Sequence, residues 1–104
     1  MLFRKRVYKI PPEMADDFNH YFNRFVHPVQ MKYGAKLVGR WTNEGKTEVT
    51  AIWQYAGLSH YEEIQKHVAA DPLSRREREE CIRVGLDLSM VLVEEEFIGK
   101  SIDE

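Results

Sequence analysis

Hydrophobic and polar positions alternate along LFRKRVYKI, residues 2–10, a run rich in β-formers that predicts a first strand. Pro11 and Pro12 close it. Proline gives no ladder donor but suits a first helical turn, where Glu13, Asp16 and Asp17 complement the helix dipole. The period then changes. Met14, Phe18, Phe22, Phe25, Val29 and Tyr33 recur at spacings of three and four, which predicts a helix with one apolar stripe to about Tyr33. Pro28 falls inside the stripe, removes the backbone bond to Arg24 and predicts a kink. Lys32 in the last turn and Gly34 just beyond it form the stop.

AKLVGRWT and KTEVTAIWQY predict a hairpin around Asn43, Glu44, Gly45 and Lys46, with Gly45 as the positive-φ residue. Pairing Thr42 with Thr47 places Arg40 opposite Val49 and Val38 opposite Ala51. Opposed residues share a face. Arg40, Val38, Val49, Ala51, Trp53 and Tyr55 then lie on one side, and Leu37, Gly39, Trp41, Thr50 and Ile52 on the other. The two tryptophans point apart.

Ser59 and Glu62 predict a capping box opening a second helix, with Tyr61, Ile64 and Val68 as its inward stripe. Asp71 and Pro72 restart the chain as a further helical piece, with Asp71 as cap. RREREE reads as a solvated face laced by Arg75–Glu79 and Arg76–Glu80 pairs. Gly85 ends it, and LDLSMVLVEEEFI, residues 86–98, is the last strand before a polar tail, GKSIDE.

The order βαββαβ predicts a ferredoxin-like α+β fold with an antiparallel four-stranded sheet. Its two helices cover one face, so the other should be polar in a monomer. The last strand has Met90 and Leu92 on one side and Val91 and Val93 on the other, and the third divides Ala51 and Trp53 from Ile52, so both faces are apolar and a partner is expected on the second. The simplest is another copy, in an isologous homodimer.

With 104 residues the expectation is a single domain spanning 1–104, burying roughly two-thirds of its unfolded surface. A net charge of −2 exerts little pull on nucleic acid or anionic membrane. Arg4, Lys5 and Arg6 alternate sides along the strand and do not form a basic patch. A single cysteine, Cys81, excludes an internal disulfide and suits a reducing compartment. The first residues lack an apolar signal core, and no run approaches a membrane span, so a cytoplasmic location is expected.

Beyond these patterns, YKIPPEM, HPVQMKYGAKLVGRW and VTAIWQYAGLSHYEEIQKHVAADP together resemble the NIPSNAP family. The matching positions are Tyr8 and Pro11, Pro28 and Gly34, Gly39 and Trp41, Ile52 to Tyr55, and Asp71-Pro72. The resemblance implies a dimeric α+β barrel, in which two ferredoxin-like sheets close on each other. The C-terminal EEEFIGKSIDE departs from the Pro-Phe-Ser-like ending associated with the family. Haem-degrading members of the wider superfamily carry a Trp ending strand 3, an Asn on strand 1 and a His late in helix 2. Trp53 matches the first, but the other two are missing, so haem turnover is not expected.

Four histidines sit seven apart in two pairs, His20 with His27 and His60 with His67. Glu63–His67 has ligand-like spacing, but it also reads as a wet helix face, and no metal or cofactor is expected. Cys81, beside Glu79 and Glu80, reads as a packing residue whose thiolate is disfavoured. The helix-facing side of the sheet carries the candidate binding residues Tyr8, Tyr21, Arg40, Trp53 and Tyr55, amphipathic groups able to wall a pocket for a small apolar or aromatic ligand. They also read as core, with Arg40 snorkelling to water, and aromatic stripes are more often core than pocket. The functional expectation is a ligand-binding homodimer. The alternative is a cofactor-independent monooxygenase-like or isomerase-like enzyme, although no base–nucleophile pair is legible.

Overall fold

A computed structural model describes residues 1–99. The strands are β1 (Leu2–Lys9), β2 (Lys36–Thr42), β3 (Glu48–Tyr55) and β4 (Leu92–Ile98). They form one antiparallel sheet in the order β2-β3-β1-β4. The first helical run is composite: a 3₁₀ turn (Pro12–Met14), α1 (Ala15–Tyr21), a π turn (Phe22–Val26) and α2 (His27–Lys32). Then follow α3 (Leu58–Ala70) and α4 (Pro72–Val84). All helices pack on one sheet face, and the overall depth of 18 Å fits two layers.

The helical run continues through Pro28 rather than breaking at it. The helix widens ahead of it into the π turn, where the His27 amide donates to the Phe22 carbonyl five residues back. Such a bulge absorbs the backbone mismatch that an interior proline creates. Gly34 (φ +106°) and Gly85 (φ +75°) both close helices in the left-handed region, each followed by a 6→1 bond, Ala35 to Gln30 and Leu86 to Cys81.

The hairpin departs from expectation in three ways. Thr42 pairs with Val49 rather than Thr47, a shift of two that preserves the faces. Lys46, not Gly45, takes positive φ. The reason is Asn43, whose side-chain oxygen accepts from the Thr47 and Glu48 amides and organises the turn. Finally, a bulge at Val38 puts Leu37, not Val38, opposite Trp53 on the helix side. Leu37 packs on the core and Val38 is exposed.

Two other boundaries move. Helix α3 starts at Leu58, so Ser59 lies inside it. No side chain caps its N-terminus, and His60 Nδ1 instead accepts from the Ala56 amide. The segment Leu88–Met90 is a 3₁₀ turn capped by Asp87, so the last strand begins at Leu92. The tail residues 100–104 lie outside the described residues.

The core lies between helices and sheet: Phe18, Phe22 and Ile64 against Tyr8, Val49, Ala51, Trp53 and Tyr55. The opposite sheet face has no covering layer. It carries Phe3, Val7 and Ile52, half-buried, with Trp41, Leu92 and Ile98 exposed. The two tryptophans do point apart: Trp53 is 2% exposed and Trp41 55%.

Candidate functional site

Between the helical layer and the β1–β4 side of the sheet lies a cavity of about 260 Å³. Phe18, Phe22, Val26, Val29, Val68, Val91 and Val93 supply apolar walls. Arg6, Tyr8, Tyr21, Gln30 and Glu77 supply the polar groups. Gln30 is satisfied by a reciprocal amide pair with Gln65.

The sheet places the basic side. Parity along β1 turns Arg4, Arg6 and Tyr8 toward the helices, while β4 offers Glu95 in the matching row. Arg4 Nε donates to Glu95 Oε1, and Arg6 Nε lies 3.3 Å from the same oxygen without a hydrogen-bond geometry. Two guanidiniums share one carboxylate, so a positive charge remains in excess. The Arg6 guanidinium lies 5.2 Å from the Tyr8 ring centroid. Burial pushes the Tyr8 phenol up, so it is a neutral donor at neutral pH. Its hydroxyl makes no hydrogen bond among the described residues.

The helices place the acidic side. Tyr21 on α1 donates to Glu77 Oε1 on α4. Burial raises the Glu77 carboxyl above the ordinary glutamate range, against the lowering effect of the Tyr21 bond and of Arg78. Burial, reinforced by the Glu77 contact, raises the Tyr21 phenol as well. The closest partner of the Glu77 carboxyl is thus a neutral phenol, with Arg78 as a nearby cation.

The five expected residues separate. Tyr8 and Tyr21 line the cavity together. Trp53 lies behind it in the core, its ring 5.9 Å from both Phe22 and His27. Tyr55 is 2% exposed, edge-on to Tyr61. Arg40 lies beyond Phe22, its guanidinium 4.0 Å over that ring and donating to Asn19 Oδ1, in a separate groove with Asp16, Thr42 and Lys46. Burial lowers the Arg40 pKa.

Glu77 and Arg6 were not among the expected site residues. Glu77 sits within RREREE, which reads as solvated throughout. The available signal is its position midway between Leu73 and Cys81 at spacing four, on the face that buries Cys81. Arg6 shares strand parity with Tyr8. On that exposed face of α4 the ion pair found is Arg83–Glu80, not the two pairs expected.

The histidines disperse. His27 abuts Trp53, His60 receives the Ala56 amide, and His67 stacks on Tyr33 at 5.1 Å. Cys81 is buried, and burial with Glu77 and Glu80 nearby raises its thiol. No described helix is long and apolar enough to cross a membrane.

Several solved structures share this fold, three of which illustrate the range. An uncharacterized NIPSNAP domain protein from Burkholderia xenovorans is 22% identical, with TM-score 0.76, over 98% of this chain and 96% of its own. A NIPSNAP family protein with unknown function from Agrobacterium tumefaciens is 16% identical, with TM-score 0.78, over 97% and 88%. A dimeric ferredoxin-like protein from an uncultured marine organism is 11% identical, with TM-score 0.57, over 99% and 95%. No match is found among the curated proteins. The NIPSNAP family model matches residues 3–97, nearly the whole described chain, and the chain belongs to the NIPSNAP family.

Proposed function

We propose that this protein is a cytoplasmic homodimer that binds a small, largely apolar or aromatic molecule in the cavity between its helices and sheet. The observation that carries this reading is the cavity itself. Eight apolar side chains, Leu88 among them, surround it, and a few polar groups, Arg6, Tyr8, Tyr21 and Glu77, meet there with hydrogen-bonding capacity to spare. Tyr8 and Tyr21 are the members of the expected set that contact the ligand in this reading. Trp53 and Tyr55 support the floor, and Arg40 stands outside.

Support for the dimer comes from the uncovered sheet face, with Trp41, Leu92 and Ile98 exposed on it. The dimeric ferredoxin-like protein of similar fold is consistent with this arrangement. The single cysteine suits a reducing cytoplasm.

A screen of small aromatic fragments by thermal shift tests the reading. Hits should stabilise the wild-type chain. They should lose their effect on Val68→Phe, which fills the cavity, while that variant remains folded. Hits that stabilise both chains equally would place binding elsewhere.

A further inference from the structure

We propose that the cavity is an enolising site, in which Glu77 takes a proton from the carbon next to the carbonyl of an aromatic 2-oxo acid while Tyr8 and Arg6 hold the oxygen that gains charge. This inference rests on the cavity being a ligand site and adds a reaction to it.

The two walls differ in charge and in hydrogen-bonding sense. The sheet offers donors: the Tyr8 hydroxyl and the buried Arg6 Nε, neither hydrogen-bonded among the described residues, with Arg6 sharing Glu95 with Arg4. Helix α4 offers an acceptor: Glu77, with one oxygen held by Tyr21 and the other not hydrogen-bonded within the described chain. A ligand that fits both walls has a carbonyl or carboxylate at one end and an acidic C–H beside it. The apolar lining between them suits an aromatic ring.

The step balances without redox change. The C–H electron pair becomes a C=C bond, the carbonyl π pair moves onto oxygen, and the proton passes to Glu77. Tyr8 donates to the developing enolate oxygen, and Arg6 offsets its charge. Delivering a proton to oxygen gives the enol, and returning one to carbon after the Glu77 proton has exchanged with water gives exchange with solvent. No oxidant or cofactor enters. Burial raises the Glu77 carboxyl, which makes it a stronger base than an exposed glutamate. The titratable groups around it are Tyr21 on α1, Arg78 and Cys81 on α4, and Tyr8 and Arg6 across the cavity. Tyr21 is a positioning residue, since it acts through Glu77.

The test uses phenylpyruvate with the full chain in deuterated water. Proton NMR follows loss of the benzylic signal, and methyl NMR follows binding. The wild type should accelerate exchange over buffer, and Glu77→Gln should lower it by about 100-fold or more while still binding the probe. Arg6→Gln should weaken binding. Tyr21→Phe should move the acid limb of the pH–rate profile to higher pH, because it removes a bond that lowers the Glu77 pKa. Binding without Glu77-dependent exchange would overturn the reaction and leave the ligand site standing. Exchange undiminished in Glu77→Gln would place the base elsewhere and also overturn it. No shift of the cavity methyls would overturn both readings.

Discussion

Trp53 carries more of the stability than of the recognition. Its ring packs against Phe22 and His27 and does not line the cavity. Trp53→Ala should therefore cost about 3–5 kcal/mol in chemical denaturation, the range for emptying a large aromatic from a core. Asp71 joins three segments. Its carboxylate accepts from the Leu73 amide at 2.8 Å, from Lys32 Nζ at 2.8 Å and from the Tyr33 hydroxyl. Lys32 first, then Tyr33 and the backbone bond, hold its pKa down at about 2 from an ordinary 3.8. A depressed carboxyl stabilises the fold above its unfolded value, and that contribution fades as pH falls through the folded value. Thermal melts of wild type and Asp71→Asn should therefore differ most above pH 3.8 and converge as the pH approaches about 2. A gap that stays constant across that interval would contradict the assignment.

At the scale of elements, the helix ends distinguish one glycine from another. Gly34 combines φ +106° with a virtual Cβ 3.1 Å from His60 Nε2, whereas nothing lies within 4 Å of a Cβ on Gly57. Gly34→Ala should cost more than about 1 kcal/mol by denaturant titration, and Gly57→Ala distinctly less. Periodicity made most of this architecture legible in advance: the β1 alternation, the Phe18–Phe22–Phe25–Val29 stripe and the Asp71 cap all follow from spacing and residue type. The remainder depended on contacts that spacing does not encode. The Val38 bulge exchanges Leu37 and Val38 between faces, and Gly39, the one signal for it in KLVGRWT, does not say which neighbour bulges. The π turn is one of several answers to an interior Pro28. Ser59 falls inside α3, which starts one residue earlier, and His60 instead accepts from the Ala56 amide ahead of the helix. The site was half legible. Tyr8 and Tyr21 follow from amphipathic character on inward positions. Glu77 was hidden in a charged run whose one inward position becomes visible only when α4 is docked.

For the whole molecule, the uncovered sheet face and the cavity are separate surfaces with separate tests. Light scattering at micromolar concentration should give twice the 12.3 kDa chain mass. Ile52→Lys should dissociate or unfold the dimer, because a charge placed on a dry sheet face finds no partner. A clean monomer of the wild type would remove the paired-sheet arrangement. The ligand site is the central claim, and methyl-resolved NMR during titration with small aromatic fragments addresses it most directly. The methyls of Val26, Val29, Val68, Val91 and Val93 should shift together and saturably, while those of Ile52 and Leu92 on the far face stay still. Shifts confined to the far face or to the Arg40 groove, or cavity methyls that never move, would contradict the account.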